Sequence, residues 1–366
     1  AAMRVPTIVS LVSMTPAAVA AAQQAERFTI PGEEIAIYNL AGTVTIEPGT
    51  GAATVLVTRA GSGAAKLSIA QGEVEGWNTL RVVYPADRIV YPALGEGSST
   101  DLKVRPDGTF GDGDIHHWHD DDDDDDHQHR HDSGRRVRIV GAGDGLEASA
   151  DLRIQLPAGQ RASVYLAVGK VAVANVDGRL AVDAHSAPVS ATGTRGMLSV
   201  DVGSGSVTVT GARGDLSVDT GSGPVEVSKF EGTELSVDTG SGDVTASEIK
   251  ADAISIDTGS GDIRLSAGSA PRVALDTGSG GVTADLRVDP TALSVETGSG
   301  NIAITAPATL GAEVDIETSS GEVESDFPLQ VTRHSREHLV GRIGNGQGKI
   351  EIETGSGDVR LLRKTS

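Results

Sequence analysis

Apolar and polar residues alternate in short runs along most of the chain, and glycines interrupt the runs. In one such stretch the apolar positions are Leu235 and Val237, followed after the letters DTGSGD by Val244 and Ala246. Alternation with a period of two predicts β-strands that bury one face. The glycines on either side of the turn serine can adopt positive φ, so we expect a sharp turn between two short strands.

The same pattern occurs nine times, at spacings of 18, 18, 19, 19, 19, 20, 21 and 36 residues. A period of this length is too short for helical repeats and is typical of one coil of a parallel β-solenoid. Each coil lies about 4.8 Å from the next, so equivalent residues are expected to form columns. The first inward column is Leu180, Leu198, Leu216, Leu235, Ile254, Val273, Leu293, Val314 and Ile350.

These patterns predict an all-β fold, a single-stranded parallel β-helix with coils of 18–21 residues, and we expect it to be right-handed. We expect a signal peptide at 1–22, strands that begin or cap the solenoid at 23–110, a disordered His/Asp-rich loop at 111–135, solenoid repeats at 136–323, a basic insertion packed over the last coil at 324–349, and that last coil at 350–366.

The N-terminal stretch has the features of a signal peptide. Arg4 precedes the apolar run VPTIVSLVSMTPAAVA, and small residues follow it, so we expect cleavage near Ala22. The run is too short, and too often interrupted by proline and serine, to span a membrane stably. The prediction is a secreted protein of the bacterial periplasm or cell surface, with no transmembrane segment after cleavage.

Charge and composition narrow the classes of partner. The formal net charge is −21, which disfavours nucleic acid and anionic lipid and permits cations. Cysteine is absent, so disulfides and thiolate metal sites are excluded. Residues 198–300 contain no tryptophan or tyrosine and only one phenylalanine, Phe230, which argues against an enzyme that binds sugars on aromatic platforms.

The letters DTGS also surround the catalytic aspartate of pepsin-like proteases. Such a protease needs two facing aspartates from distant lobes, whereas here the motif repeats every 19 residues. Stacked repeats place the acids in a row, so we expect no proteolytic activity and no catalytic residues.

An acid precedes the turn in all nine repeats. We interpret this column first as structural, because an aspartate before a turn can accept hydrogen bonds from the turn amides, and the turn serine can do the same. The other interpretation is an acidic stripe that binds cations. Its members are Asp183, Asp201, Asp219, Asp238, Asp257, Asp276, Glu296, Glu317 and Glu353.

The stretch GDGDIHHWHDDDDDDDHQHRHD holds six of the nine histidines of the chain. Its repelling charges and scarce apolar surface predict a disordered loop between two strands. Imidazoles and carboxylates can also gather divalent metal ions, so a weak metal-binding loop is the alternative. The candidate ligands are His116, His117, His119, Asp120, Asp126, His127, His129 and His131.

Several stretches resemble a bacterial adhesin-like group of unknown function, the head-GIN or auto-transporter-adhesin-like proteins. They are the repeats themselves, LRIQLPAG, IYNLAGTVTIEPG and the closing GRIGNGQGKIEIETGSGDVRL, and together they run from about Phe28 to Leu362. The resemblance implies an exported β-helical protein and carries over no catalytic residues. The His/Asp-rich stretch departs from the family pattern.

Together these observations predict an exported, non-enzymatic β-solenoid that acts as an adhesin-like structural or binding protein of the cell envelope. We expect a monomer that binds an unidentified envelope or surface partner and needs no cofactor. One alternative is an envelope protein that binds divalent metals through the His/Asp-rich loop. A further alternative is a β-helix enzyme acting on polysaccharides.

Overall fold

The computed structural model describes residues 25–111 and 134–364, and the chain folds as a β-solenoid. The predicted all-β fold is confirmed. Within the described ranges the only helical pieces are two short 3-10 turns, Ala64–Lys66 and Pro92–Leu94. None of the helices in these ranges is long and apolar enough to cross a membrane. The predicted signal peptide lies outside the described residues.

Each coil of the array contributes one strand to a first sheet and one to a second sheet. The long strand β11 (Gln160–Ala174) runs through both sheets, and strands with equivalent positions pair in parallel from coil to coil. The following coils are β12 (Asp177–Ser186) with β13 (Val189–Thr192), β14 (Arg195–Ser204) with β15 (Val207–Thr210), β16 (Arg213–Ser222) with β17 (Val225–Ser228), β18 (Glu234–Thr239) with β19 (Val244–Ser247), β20 (Ala253–Thr258) with β21 (Ile263–Gly268), β22 (Arg272–Thr277) with β23 (Val282–Leu286), and β24 (Ala292–Thr297) with β25 (Ile302–Ala306).

The core of the rod is built from aliphatic columns that point inward from both sheets. Leu235 pairs in register with Leu216 and Ile254, and all three are buried. From the second sheet, Val244 lies opposite Ile263 and is fully buried. Apolar side chains on each strand point into the core and the polar ones between them point outward, which accounts for the period of two in the sequence.

Antiparallel strands close the N-terminal end of the rod. Strand β2 (Glu34–Pro48) forms a complete coil that pairs with β11. Beyond it one hairpin extends the first sheet, and three further strands extend the second. These strands are β1 (Glu26–Ile30), β2 (Glu34–Pro48), β3 (Ala53–Ala60), β4 (Ser68–Val74), β5 (Trp77–Val83) and β10 (Ser149–Leu156).

A separate four-stranded sheet, which is not part of the solenoid, packs beside the first coils. It contains β6 (Arg88–Val90), β7 (Ser99–Val104), β8 (Arg135–Val140) and β9 (Leu146–Glu147), in the order β7-β8-β6-β9. Phe110 follows β7 of this sheet and contacts the rings of Tyr38 and Tyr165 edge-on, at centroid distances of 5.8 and 6.4 Å. The outward faces of the first coils are consequently buried rather than exposed.

The coils at the C-terminal end do not stack in sequence order. The remaining strands are β26 (Ala312–Thr318), β27 (Val323–Ser325), β28 (Leu329–His334), β29 (His338–Ile343), β30 (Gly348–Thr354) and β31 (Val359–Arg363). Strand β30 lies between β24 and β26, so Ile350 pairs with both Leu293 and Val314. The expectation that Val314 follows Leu293 in the column is therefore wrong.

A hairpin lies at the C-terminal end of the rod, where the coil that is last in sequence was expected. Strand β29 pairs antiparallel with β26, and β28 pairs antiparallel with β29, with a bulge between Val331 and Arg333. The basic insertion thus covers β26 rather than the coil that follows it in sequence. The chain can return between two coils because the hairpin leaves the inner edge of β26 open for β30.

The turn glycines are required by the close approach of neighbouring coils. A Cβ added to Gly261 would lie 2.0 Å from the carbonyl oxygen of Gly242, and one added to Gly242 would lie 1.8 Å from that of Gly223. Neither Gly242 nor Gly261 has a positive φ. The expectation that these glycines serve positive φ is wrong for these coils, because the missing side chain matters more than the torsion angle.

The coil order can be tested with engineered disulfides, since the chain has no cysteine of its own. Ser294 lies directly opposite Glu351, at a spacing that a disulfide can bridge, whereas Asp315 lies one coil further away. We expect Ser294→Cys with Glu351→Cys to cross-link under mild oxidation, as measured by thiol labelling after denaturation. Cross-linking of Ser294→Cys with Asp315→Cys, and not of the first pair, would contradict the order.

Candidate functional site

A row of nine carboxylates runs along the outer face of the first sheet, and we call it the carboxylate stripe. Each member lies directly opposite the next in the ladder of parallel strands. The row spans roughly 40 Å at about 4.8 Å per coil. In spatial order it is Asp183, Asp201, Asp219, Asp238, Asp257, Asp276, Glu296, Glu353 and Glu317.

Most of the stripe is exposed and has no partner of opposite charge among the described residues. Seven members make no hydrogen bond or ion pair with any residue of the ranges 25–111 and 134–364, and all seven are exposed. Like charges at this spacing repel by about 1 kcal/mol per pair in water. These seven are Asp219, Asp238, Asp257, Asp276, Glu296, Glu353 and Glu317.

Burial and like charge act together on two acids of the row. Partial burial, together with the neighbouring charges of Asp276 and Asp238, raises the pKa of Asp257 above its usual range. Partial burial and the charge of Asp238 likewise raise the pKa of Asp219. Both groups are therefore harder to ionise in the folded protein than in the unfolded chain.

Threonine side chains, rather than the stripe acids, hold the turns. Thr258 Oγ1 accepts a hydrogen bond of 3.0 Å from the amide of Gly261 in its own turn. It also donates one of 3.1 Å to the carbonyl oxygen of Gly242 in the preceding coil. The structural interpretation of the stripe acids as turn caps is therefore wrong for these seven members, because none of them bonds a turn amide. In the coils of Asp238 and Asp257, the buried Thr239 and Thr258 accept that amide instead.

A second, shorter acid column does bind the backbone. Asp243 Oδ1 accepts a hydrogen bond of 2.9 Å from the amide of Asp262, and Asp262 Oδ1 accepts one of 2.8 Å from the amide of Gly281. The bond from Gly281 lowers the pKa of Asp262. Sequence reasoning missed this column, although the letter D after the second turn glycine recurs at Asp243, Asp262 and Asp358.

Aromatic and basic side chains end the stripe. Tyr165 lies opposite Asp183 in the ladder and stacks on Tyr38 at a centroid distance of 4.3 Å, and burial raises the pKa of Tyr165 to about 12. At the other end His338 lies opposite Glu317, and its Nε2 is 2.8 Å from Asp315 Oδ1. The run of acids therefore has a defined beginning and end.

The predicted metal ligands of the His/Asp-rich stretch, from His116 to His131, lie outside the described residues. Gly111, the last described residue before them, lies against the beginning of the stripe, since a Cβ on it would be 3.0 Å from Asp183 Oδ2. In the part of the chain that is described, no three His, Asp or Glu side chains are close enough to hold a metal ion. The loop therefore stays a prediction.

The arrangement does not resemble a hydrolytic site. Asp238 lies in a row with Asp219 and Asp257 on one face, so these aspartates form no facing pair. An acid and a base for catalysis need environments that separate their pKa values, whereas the stripe repeats one environment. Phe230 is buried and offers no surface for a sugar ring. What the row can do is attract and hold positive charge.

Comparison with known proteins supports the fold and a coarse family assignment. Residues 192–362, fewer than half of the chain, match the family model Toastrack DUF4097. This supports a β-solenoid domain of unknown function over that range, without the more specific head-GIN label. No curated protein matches the chain.

A solved structure described as "a putative cell adhesion protein from Clostridium sporogenes" covers 93% of this chain and 99% of its own, at 12% identity. Its TM-score is 0.18, so the likeness carries no argument about fold or function.

Two alanine substitutions in one coil test the difference between the acid columns. At neutral pH, Asp257→Ala should raise the free energy of unfolding by about 0.5 kcal/mol because it removes repulsion that salt partly screens. Asp262→Ala should lower it by about 1 kcal/mol because it leaves the Gly281 amide without its acceptor. Thermal denaturation followed by circular dichroism measures both changes.

Both differences should fade in acid, for opposite reasons. The raised pKa of Asp257 means that its cost in the wild type disappears as the pH falls through that value. The lowered pKa of Asp262 means that its contribution is present above the usual aspartate range and is lost as the pH falls through the folded-state value. Destabilisation by Asp257→Ala at neutral pH would contradict the assignment.

Proposed function

We propose that this chain is an exported, non-enzymatic, adhesin-like binding protein of the bacterial cell envelope, and that the carboxylate stripe is its binding face. The observation that carries the proposal is the row of seven exposed carboxylates that have no partner among the described residues. These acids repel one another and cap no turn, so the fold gains nothing from them. A positively charged partner would remove the repulsion.

The geometry of the rod supports a binding role over an enzymatic one. A solenoid holds its outer face rigid because every backbone group of an inner strand is paired with the coils on both sides. The stripe is a flat row of equivalent groups, which suits an extended partner better than a single reacting bond. The Toastrack match supports the solenoid without assigning a reaction.

Binding to envelope preparations tests the proposal. We compare the wild-type protein with a stripe variant, Asp238→Asn, Asp257→Asn and Asp276→Asn, in co-sedimentation with envelope fragments. Because the stripe supplies the attraction, we expect its variant to lose at least about tenfold in apparent affinity, equivalent to 1.4 kcal/mol.

The control removes the same number of charges from exposed acids away from the stripe, by Glu226→Gln, Glu248→Gln and Asp252→Asn. We expect this control variant to sediment like the wild type. Equal sedimentation of all three proteins, or sedimentation of none, would refute the stripe as the binding face.

A second candidate function is the binding of divalent metal by the His/Asp-rich stretch. The observation that favours it is the position of Gly111 against Asp183, which starts this stretch beside the stripe. The histidines would supply nitrogen ligands, and carboxylates would supply charge. Fixing the ligand side chains around the ion costs conformational entropy, so the affinity should be modest.

Calorimetry with Zn²⁺ tests this second function. Removing residues 112–133 takes away ten aspartates and one arginine, so the formal charge moves from −21 to −12. We expect the intact chain to bind at neutral pH and to release the metal below about pH 6, where imidazoles protonate. The shortened chain should keep its β-type circular dichroism spectrum and should give no heat of Zn²⁺ binding. Equal heats for both chains would leave the metal-binding function without support.

A further inference from the structure

We propose that copies of this chain associate head to tail, with the edge strand β28 at the C-terminal end of one copy pairing antiparallel with the edge strand β4 at the N-terminal end of the next. The observations concern the two ends of the rod, so the proposal goes beyond the proposed function and does not depend on the carboxylate stripe. It replaces the monomer expected from the sequence with a reversible row of rods.

Both ends of the first sheet present an edge strand with one free side. Strand β28 pairs with β29 and strand β4 pairs with β5, and neither has a second neighbour among the described residues. Most residues of both strands are exposed. An edge of this kind offers a row of unpaired amide and carbonyl groups that another chain can join. Each end of the rod can therefore accept a further strand.

The directions of the two edge strands match. Strand β28 runs in the direction of the coils, because β29 is antiparallel to β26 and β28 is antiparallel to β29. Strand β4 runs against the coils, because β5 is parallel to β2 and β4 is antiparallel to β5. Two rods on one axis, in the same orientation, therefore bring β28 and β4 together as an antiparallel pair, which is the more stable kind of ladder.

The two ends of the rod are stepped in opposite directions. At the C-terminal end the first sheet continues beyond β24 with β30, β26, β29 and β28, whereas the second sheet continues beyond β25 with β31 and β27. At the N-terminal end the second sheet is the longer one, with β10, β3 and β1 beyond β2 against β5 and β4 in the first sheet. Pairing of β28 with β4 therefore places β1 of the next copy across the core from β28.

An apolar side chain is exposed at this step. Val331 pairs with Gly341, which pairs with Val314 of the first inward column, so Val331 lies on the inner face of β28. It is 53% exposed because the second sheet ends before this level. At the other end Phe28 pairs with the fully buried Val55, so it lies on the inner face of β1, and it is only partly buried. Stacking would bring Val331 and Phe28 together across one continuous core.

The charges of the two ends are opposite. The hairpin of β28 and β29 carries three arginines and one glutamate, whereas β4 and the turn after it carry two glutamates and no basic residue. Arg333 of the hairpin and Glu73 of β4 are exposed, and neither side chain makes a hydrogen bond or ion pair with the described residues. Opposite charge favours contact between unlike ends over contact between equal ends. A contact between unlike ends does not close on itself, so copies add in a row.

The irregularity of β28 limits the strength of the contact. A bulge between Val331 and Arg333 interrupts regular pairing. Bulges and charged side chains are means by which edge strands avoid permanent association. We therefore expect a reversible contact, with a dissociation constant between about 10 µM and about 1 mM.

Analytical ultracentrifugation of the full chain over this range of concentration tests the proposal. We expect the average mass of the wild type to rise with concentration beyond that of a dimer. Val331→Lys should weaken association at least about tenfold, because docking would remove water from the ammonium group. The control Val288→Lys makes the same change at another exposed apolar side chain, in the loop between β23 and β24, and should associate like the wild type.

Glu73→Lys gives the matching test at the N-terminal end. It reverses a charge that would face the basic hairpin, so we expect association to weaken at least about tenfold. Glu226→Lys makes the same change on an inner coil and should have no effect. Val331→Lys and Glu73→Lys block different ends. An equimolar mixture of these two variants should therefore form one-to-one dimers at a concentration where neither variant associates alone.

Three results would overturn the inference. The first is a monomer at every concentration up to about 1 mM. The second is association that stops at a dimer, is abolished by Val331→Lys and is unchanged by Glu73→Lys, which would indicate a pair of equal C-terminal ends. The third is equal weakening by the end variants and their controls. If Val331→Lys does not keep the wild-type circular dichroism spectrum, Arg333→Glu, at an exposed position of the same strand, takes its place in both experiments.

Discussion

In-register pairing of parallel strands is the constraint on which the rest of this structure depends. It holds consecutive coils about 4.8 Å apart and places equivalent residues directly above one another. A residue at one position of the repeat therefore contacts its equivalents in the coils above and below, so the same steric and electrostatic requirement applies along the whole column. The turn shows how strict this is, since a methyl group on Gly261 would lie 2.0 Å from the oxygen of Gly242.

Stacking equivalent residues at this spacing stabilises the fold in some columns and destabilises it in another. The aliphatic columns bury surface, the threonine column joins neighbouring turns by hydrogen bonds, and the Asp243 column accepts amides of the next coil. The carboxylate stripe stacks like charges, and seven of its members have no compensating contact within residues 25–111 and 134–364. Because the acids of the stripe do not stabilise the fold, their presence needs a different explanation, and the binding of a positively charged partner is one.

Sequence alone predicted the coil, its inward columns and the row of acids, because a period of 18–21 residues with alternation leaves one architecture. It did not predict that Ile350 lies between Leu293 and Val314, because equivalent coils carry no label for their neighbours. It also assigned the turn contacts to Asp238 rather than Thr239, since both can accept an amide proton and only the direction of the side chain decides. The packing of Phe110 over Tyr38 and Tyr165 could not be predicted, because Phe110 lies outside the repeats and belongs to no periodic pattern.

The central claim is that two kinds of acid in one repeat have opposite environments. A carbon-detected NMR titration of the aspartate side chains measures this directly, carboxyl by carboxyl. The account predicts that Asp257 titrates above the usual aspartate range and Asp262 below it, because the first faces like charges and the second accepts an amide. An Asp257 pKa at or below the ordinary value would mean that the stripe is already compensated, and would contradict the account.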